Sequence, residues 1–316
     1  MASLLDFEKS LQPLEQELES ARRQDGNHAK SQERVTRLRQ TIDTRLEELY
    51  GHLTPWQKVQ VARHRERPYT LDYLQWAFSD WVELHGDRSF GDDRALIGGP
   101  AILSGRSVMV AGTQKGRDTR ENVERNFGMP HPEGYRKAER LMSQAERLGL
   151  PLVTLIDVPG ASAGLPDEER GQAESIASSI ATMLALRIPS VAVVIGEGGS
   201  GGALAIAVAD RILMLEHAIF SVASPEGAAA ILWHDAGKAA EAAQNMRITA
   251  KDLCDLGLVD EIVAEPLGGA HRDHAAAARS VGDAVTQALD ELDRLPVGDL
   301  LEARYHKYRD IGFYQE

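Results

Sequence analysis

Residues 190–210 read SVAVVIGEGGSGGALAIAVAD, from Ser190 to Asp210. The apolar run Val191-Ala192-Val193-Val194-Ile195 is β-branched and bounded by turn residues, which predicts a strand buried on both faces. It runs into Gly196-Glu197-Gly198-Gly199-Ser200-Gly201-Gly202. Glycines this close together permit positive φ and leave no Cβ in the way, so a substrate can lie against bare backbone. Ala203-Leu204-Ala205-Ile206-Ala207 follows, a small-residue run that fits a tightly buried helix. A strand, a glycine turn and a helix start place several backbone N–H groups at a positive helix end, where an anion or a developing oxyanion can be held.

Three motifs overlap in the stretch. Gly196-x-Gly198-x-x-Gly201 satisfies the dinucleotide fingerprint, with Glu216 at about the ~20-residue distance of a ribose ligand. Against it, only about eight residues separate Gly201 from the strand expected at Arg211, fewer than the roughly 10–12 a crossover needs. Gly198-x-Ser200-x-Gly202 satisfies the nucleophile elbow of serine hydrolases, and His234, Asp235, Asp260, His271 and His274 follow in a suitable order. With ten histidines in the chain, chance meets that order easily. The third reading is a backbone oxyanion hole in which no side chain performs chemistry. Glycine turns also exist for packing alone, and a P-loop is excluded because no Gly-Lys-Ser/Thr follows.

Outward from this stretch, strands and helices alternate. Leu152–Ile156 predicts a strand, Asp157-Val158-Pro159-Gly160-Ala161 a turn, and roughly 168–186 a helix. Two strand–Gly turn–helix units therefore stand about 40 residues apart, which predicts parallel strands with crossover helices. Upstream, 95–103 and 107–114 read as strands around Ser104-Gly105. Thr54-Pro55 starts a helix, and Thr70 caps another predicted over 71–84. Lys115 to Gly134 reads as a long polar loop, and a helix carrying Leu141, Met142, Ala145 and Leu148 is closed by Gly149. Downstream, 211–215, 218–222 and 257–263 read as short strands, Ser224-Pro225-Glu226 as a helix start, and 273–295 and 297–309 as amphipathic helices.

Residues 1–50 differ from the rest. Leu4, Phe7, Leu11, Leu14 and Leu18, then Val35, Leu38, Ile42, Leu46 and Leu49, predict a helical hairpin turning at Asp25-Gly26-Asn27, with Pro13 in a first turn. The expected organisation is a packing or interaction arm over 1–50, a main domain over 51–295 and a helical tail over 296–316.

Of 316 residues, 43% are hydrophobic, and the net charge of -13 disfavours general nucleic-acid binding. The single Cys254 excludes an internal disulfide and a cysteine-cluster zinc site, and fits a core or near-surface position better than a nucleophile. The charged start lacks a secretory apolar core, and no run reaches the ~18 apolar residues of a span. A reducing, cytoplasmic setting is expected.

Glu197-Gly198-Gly199-Ser200-Gly201-Gly202-Ala203-Leu204-Ala205 resembles the signature of the bacterial acetyl-CoA carboxylase carboxyltransferase alpha family. So do the stretches from Arg67 to Tyr73, Asn126 to Pro130, Pro132 to Ala138, Ser224 to Gly227 and Glu265 to Arg272. The resemblance spans nearly the whole chain. It implies an α/β fold, a crotonase-like ββα spiral with an N-terminal helical hairpin and C-terminal helices. It also implies a beta partner in an α2β2 assembly, with zinc on the beta chain only. The implied reaction moves a carboxyl group from carboxybiotin, on biotin carboxyl carrier protein, to acetyl-CoA, giving malonyl-CoA for fatty-acid synthesis. Biotin carboxylase belongs to the wider complex, and no membrane is involved.

By position in the motif, the resemblance assigns the biotin oxyanion hole to the N–H groups of Gly201 and Gly202, with Gly198 and Gly199 shaping the loop. Gly160 and Ala161 form a second, weaker pair; Ser162-Ala163 stand where the family commonly has an aromatic and a proline. On this reading Gly202→Val abolishes transfer with the fold intact, while Ser200→Ala is mild. Lys115, Arg117, Arg120, Arg125, Arg136 and Lys137 concentrate positive charge in an acidic chain. Lys115, Arg117, Arg136 and Lys137 are the expected contacts to CoA phosphates or to an acidic partner, unless they are a solvated face. His271 and Arg272 read as structural. A scaffold that kept the fold without the chemistry is the rival class.

Overall fold

The computed structural model describes residues 4–23 and 29–312. The Asp25-Gly26-Asn27 turn lies outside the described residues.

Eight strands form one sheet: β1 (Phe78–Ser79), β2 (Leu96–Leu103), β3 (Arg106–Thr113), β4 (Leu152–Val158), β5 (Ser190–Gly199), β6 (Arg211–Leu215), β7 (Ile219–Ser221) and β8 (Glu261–Val263). The order is β1-β2-β3-β4-β5-β6-β8, with β7 on β5. β1, β2 and β3 are antiparallel, joined between β2 and β3 by Ser104-Gly105, both at positive φ as a two-residue hairpin requires. From β3 onward every pair is parallel. Every residue of β4 and β5 is buried, which the continuous apolar runs anticipated.

β5 is longer than the sequence suggests. Gly196-Glu197-Gly198-Gly199 is strand, not turn. Residues 191–194 pair with β6, and residues 197–199 pair with β7. A bare strand end can accept a second neighbour close to its backbone: a Cβ on Gly198 would stand 2.7 Å from the Phe220 ring. The short helix that follows, Ser200–Leu204, has no room to grow before β6.

Two other expectations are corrected. Thr70 is not the cap: it is the first helical residue after Tyr69, its hydroxyl donates to the Thr113 carbonyl, and the helix ends at Ala77 rather than Leu84. Beyond it β1 forms, and Val82 and Leu84 donate their N–H groups to the carbonyls of Pro100 and Gly98, so 78–84 lies extended along β2. The region 115–134 is not a plain loop. Asp118 caps a helix, Thr119–Glu124, a 3-10 turn spans Asn126–Gly128, and helix Pro132–Leu148 starts earlier than expected.

The helix Pro132–Leu148 packs on β2, β3 and helix Gln172–Ala185, and His274–Leu292 packs on β5, β6, β8 and helix Thr70–Ala77. Helices Gln12–Arg23 and Ala29–Tyr50 pair, and Leu11, Ile42, Leu46 and Tyr50 bury against Val61 of the body. Pro13 falls in the first turn, where its missing N–H has no role. The buried Arg304 of helix Val297–Arg309 bridges Asp210 at 2.7 Å and donates to the carbonyls of Met183, Leu184, Leu186 and Ile188. It thereby satisfies the orphan acceptors around the end of helix Gln172–Ala185.

Candidate functional site

The turns leaving β4 and β5 interlock. A Cβ on Gly199 would stand 2.1 Å from the Pro159 carbonyl oxygen and 2.9 Å from the Gly160 nitrogen. One on Gly202 would stand 2.5 Å from the Ala161 nitrogen and 2.7 Å from the Gly160 carbonyl carbon. Backbone therefore lies directly on backbone. None of Gly196, Gly198, Gly199, Gly201 or Gly202 has positive φ; Ser200 does, at 54°. These glycines serve close approach, and the one left-handed residue of the turn is the serine. The Gly202 contact also corrects an expectation: a valine there must displace the Gly160-Ala161 turn, so the fold cannot stay untouched.

Gly201 and Gly202 are the second and third residues of helix Ser200–Leu204, and a first-turn N–H has no acceptor within its own helix. Gly201, Gly160 and Ala161 are half-buried, and Gly202 is buried. The structure thus brings together the four residues of the two expected donor pairs. Tyr135 Oη, buried without a hydrogen-bond partner among the described residues, lies 2.9 Å from the same Gly202 Cβ point. Beside Ser200 and Gly201 opens a groove of about 630 Å³, walled by Leu204, Phe220, Val222 and Met246. Its walls are mainly apolar, as ligand clefts with a few fixed polar groups are.

The turn after β4 is fixed by polar contacts. The Ser162 N–H donates to the Pro130 carbonyl (3.0 Å), and Ser162 Oγ donates to Asp167 Oδ2 (2.5 Å). The Ser162 carbonyl accepts from Gln172 Nε2 at 2.7 Å. His131 Nδ1 lies 2.6 Å from Asp167 Oδ1. Burial pushes the Asp167 carboxyl up, but the hydrogen bonds from Ser162 and His131 outweigh it and hold the group below its ordinary range. Ser162 thus closes the loop in place of a ring.

Behind the two turns lies an ionic cluster that is buried at Asp157 and Glu197 and reaches the surface at Glu226. Lys115 Nζ bridges Asp157 Oδ1 (2.7 Å) and Glu197 Oε2 (3.1 Å), and Arg63 joins Glu197 (2.6 Å) to Glu226 (2.5 Å). Burial raises the Glu197 carboxyl, but Lys115 and Arg63 prevail and keep it ionised. Arg67, fully buried, grips Glu265 with two N–H groups and donates Nε–H to the Ile195 carbonyl of β5 at 2.6 Å.

The four basic residues expected at CoA are each committed to internal acceptors. Lys115 is held as above. Lys137, with no exposed surface, donates to Asp92 Oδ1 (2.6 Å) and the Asp93 carbonyl (2.7 Å). Arg136 serves Asp87, Glu133 and the Arg170 carbonyl. Arg117 lies over the Tyr69 ring, pairs with Asp72 and donates to the Arg65 and Arg67 carbonyls. Arg272 pairs with Glu8 and Glu15 of the N-terminal arm, and His271 stacks on His64. Sequence reasoning singled out neither Asp157 nor Glu197 as a pair. A carboxylate at the buried end of each parallel strand was the available signal.

Among the described residues, no hydrogen bond joins Ser200 to a histidine, and no group of three His, Cys, Asp or Glu side chains is placed to hold a metal. The five-residue helix after the glycines is too short for a dinucleotide crossover. No helix among them is long and apolar enough to cross a membrane.

A family model described as "Acetyl co-enzyme A carboxylase carboxyltransferase-like" matches residues 4–312. The acetyl-coenzyme A carboxylase carboxyl transferase subunit alpha of Geobacter metallireducens is 54% identical over 312 residues, covering 99% of this chain and 98% of that protein. That of Azoarcus sp. is 51% identical over 315 residues, covering 99% and 98%. That of Staphylococcus aureus is 49% identical over 314 residues, covering 99% and 100%. Among solved structures, a Pseudomonas malonate decarboxylase heterodimer aligns with a TM-score of 0.57 at 19% identity, over 72% of this chain and 89% of that chain. Transcarboxylase 12S aligns at 0.56 and 22% identity, over 70% of this chain and 42% of that chain. At such identities the likeness is one of fold, and the fold is the crotonase-like α/β spiral expected from the sequence.

Proposed function

The chain belongs to the acetyl-coenzyme A carboxylase carboxyltransferase alpha family and is a carboxyltransferase subunit; from that premise we propose how its two interlocked turns serve the reaction. Carboxybiotin on a carrier protein supplies a labile carboxyl group; acetyl-CoA receives it at the methyl carbon, and the proton that this carbon gives up passes to the biotin nitrogen that the carboxyl left. The Gly201 and Gly202 N–H groups donate hydrogen bonds to the biotin oxygen and stabilise the charge that gathers there as the carboxyl departs. Gly160 and Ala161 supply a second pair of donors facing the same space. Each such donor is worth about 2.7–4 kcal/mol in the transition state when it is fixed in advance.

The observation that carries this reading is the backbone-on-backbone contact of Gly199 with Pro159 and of Gly202 with Ala161. It presets the donors relative to one another, and it leaves no side chain that must move during reaction. The apolar groove at Ser200 and Gly201 has the size and lining for a bicyclic ring with an aliphatic arm. This chain forms the biotin side, and a zinc-bearing beta subunit forms most of the acetyl-CoA side, in an α2β2 assembly. Biotin carboxyl carrier protein and biotin carboxylase complete the wider complex in the cytoplasm.

The test is malonyl-CoA decarboxylation in the presence of biotin, with this chain alone, with the beta subunit alone, and with both. Activity only with both chains supports the division of labour. Activity from this chain alone moves the acyl-CoA site here and overturns it.

A further inference from the structure

Lys115 stands behind the two turns, between the ends of β4 and β5, and does not line the groove. Its ammonium joins Asp157, the penultimate residue of β4, to Glu197, three residues before Ser200 on β5. Two glycines are cleared for this contact. A Cβ on Gly196 would stand 2.5 Å from Asp157 Oδ1, and one on Gly128 would stand 2.5 Å from Lys115 Cγ.

The place is where the β4–β5 ladder slips. Ile156 pairs with Val194, and Val158 with Gly198, so two residues on β4 oppose four on β5. Such irregularities re-aim a strand end but leave backbone groups without ladder partners. Side chains supply the partners. Thr113 Oγ1 accepts the Asp157 N–H, Asp157 Oδ1 accepts the Glu197 N–H, and Arg67 Nε donates to the Ile195 carbonyl. Two carboxylates brought together in this way repel unless a cation lies between them. Three N–H donors on one ammonium suit two acceptors on different strands.

We propose that Lys115 is a positioning residue for carboxyl transfer: it sets the spacing between the ends of β4 and β5, and so the placement of the Gly160-Ala161 and Gly201-Gly202 N–H groups. The inference rests on the function proposed above, in which both turns act on one reaction. It replaces a role for Lys115 in contacting CoA.

The experiment uses the complex with the beta subunit and compares wild type, Lys115→Met, Asp157→Asn and the double variant. The readouts are malonyl-CoA decarboxylation with biotin, thermal unfolding and amide exchange. Lys115→Met should lower kcat on the order of 100-fold, the scale of misplacing a reacting group by about an ångström. KM for malonyl-CoA should stay within about twofold, because the residue touches no substrate. Exchange should quicken in segments 157–163 and 196–204 and nowhere else. The double variant carries no unpaired buried charge, so it should regain the thermal stability of Asp157→Asn without regaining its kcat. If Lys115→Met does not fold, the double variant set against Asp157→Asn decides the same question. Recovery of kcat together with stability would reduce Lys115 to charge balance and overturn the proposal, as would a Lys115→Met enzyme within twofold of wild type. An inactive wild-type complex would instead remove the proposed function itself.

Discussion

The turn after β4 keeps its shape through side chains. Ser162 holds Asp167, Gln172 holds the Ser162 carbonyl, and His131 closes the other side of Asp167. The turn after β5 keeps its shape through missing side chains. Between Gly198 and Gly202 only Ser200 has one, and three of the four glycines would place a Cβ within 3.0 Å of a neighbour. The two turns touch, yet they fail in opposite ways: the first by deletion of a group, the second by addition of one. Substitutions chosen on that difference separate the two turns.

Gly202→Val should have the largest effect. Its new Cβ meets backbone atoms that cannot rotate away, so the turns must part. Loss of the aligned donors predicts a fall of about 10²–10³ in kcat. Overpacking adds roughly 1–3 kcal/mol of lost stability. Decarboxylation kinetics and thermal unfolding of the same preparation check both. A Gly202→Val enzyme that unfolds like wild type would show that the contact is softer than backbone on backbone.

Next in size is the support behind the second turn. Glu265, fully buried, holds Arg67 against the Ile195 carbonyl. Burial raises its carboxyl, but Arg67 outweighs burial and holds it at about 2, against an ordinary 4.5. A group depressed in this way contributes fully above pH 4.5 and loses its contribution as pH falls through about 2. Glu265→Gln leaves a buried guanidinium unpaired, which costs about 3–5 kcal/mol at neutral pH. The variant's stability should also change less with pH below 4.5 than that of wild type. Parallel stability–pH curves would place the acid sensitivity elsewhere.

How far the sequence reveals this arrangement depends on the kind of interaction. Val191–Ile195 and Leu152–Ile156 announce buried parallel strands, because burial on both faces leaves a compositional mark. The glycines leave a compositional mark too. What the glycines are for is not visible: a missing Cβ reads alike whether it allows positive φ or close approach, and here it is close approach. The helix misjudged beyond Ala77 shows a second limit. Phe78, Trp81 and Val82 keep the helical i, i+3, i+4 spacing, yet the segment is extended, because pairing with β2 overrides the pattern. Charged residues were the least legible. Lys115 and Lys137 look like surface cations until Asp157, Glu197, Asp92 and Asp93 arrive from distant strands and loops.

Ser162→Ala should act more weakly, and at the first turn. It removes one donor from a buried carboxylate that keeps His131 and the Gly164 N–H, so the expected loss is about 1–3 kcal/mol. The change in kcat should be several-fold smaller than for Gly202→Val. An effect as large as that of Gly202→Val would mean that the first turn, not the second, carries the principal donors.

Ser200→Ala should have the smallest effect, and it divides the backbone-hole reading from the nucleophile elbow. Ser200 occupies the left-handed region at 54° and is exposed, as an elbow serine would be. A nucleophile also needs a base within hydrogen-bond reach, and no histidine bond reaches Ser200 among the described residues. Alanine keeps the same backbone strain, so the turn should not shift. Removing a nucleophile would cost several orders of magnitude, whereas removing an idle hydroxyl beside two N–H donors should change kcat by no more than about threefold. Glycine at 200 would relieve the left-handed strain, worth roughly 1–2 kcal/mol, against about 0.5–1 kcal/mol of extra chain entropy lost on folding, so Ser200→Gly should be no less stable than wild type. Measured side by side, Ser200→Ala near wild type in kcat and Ser200→Gly no less stable than wild type would mark the hydroxyl as idle and leave the chemistry to the amides on either side.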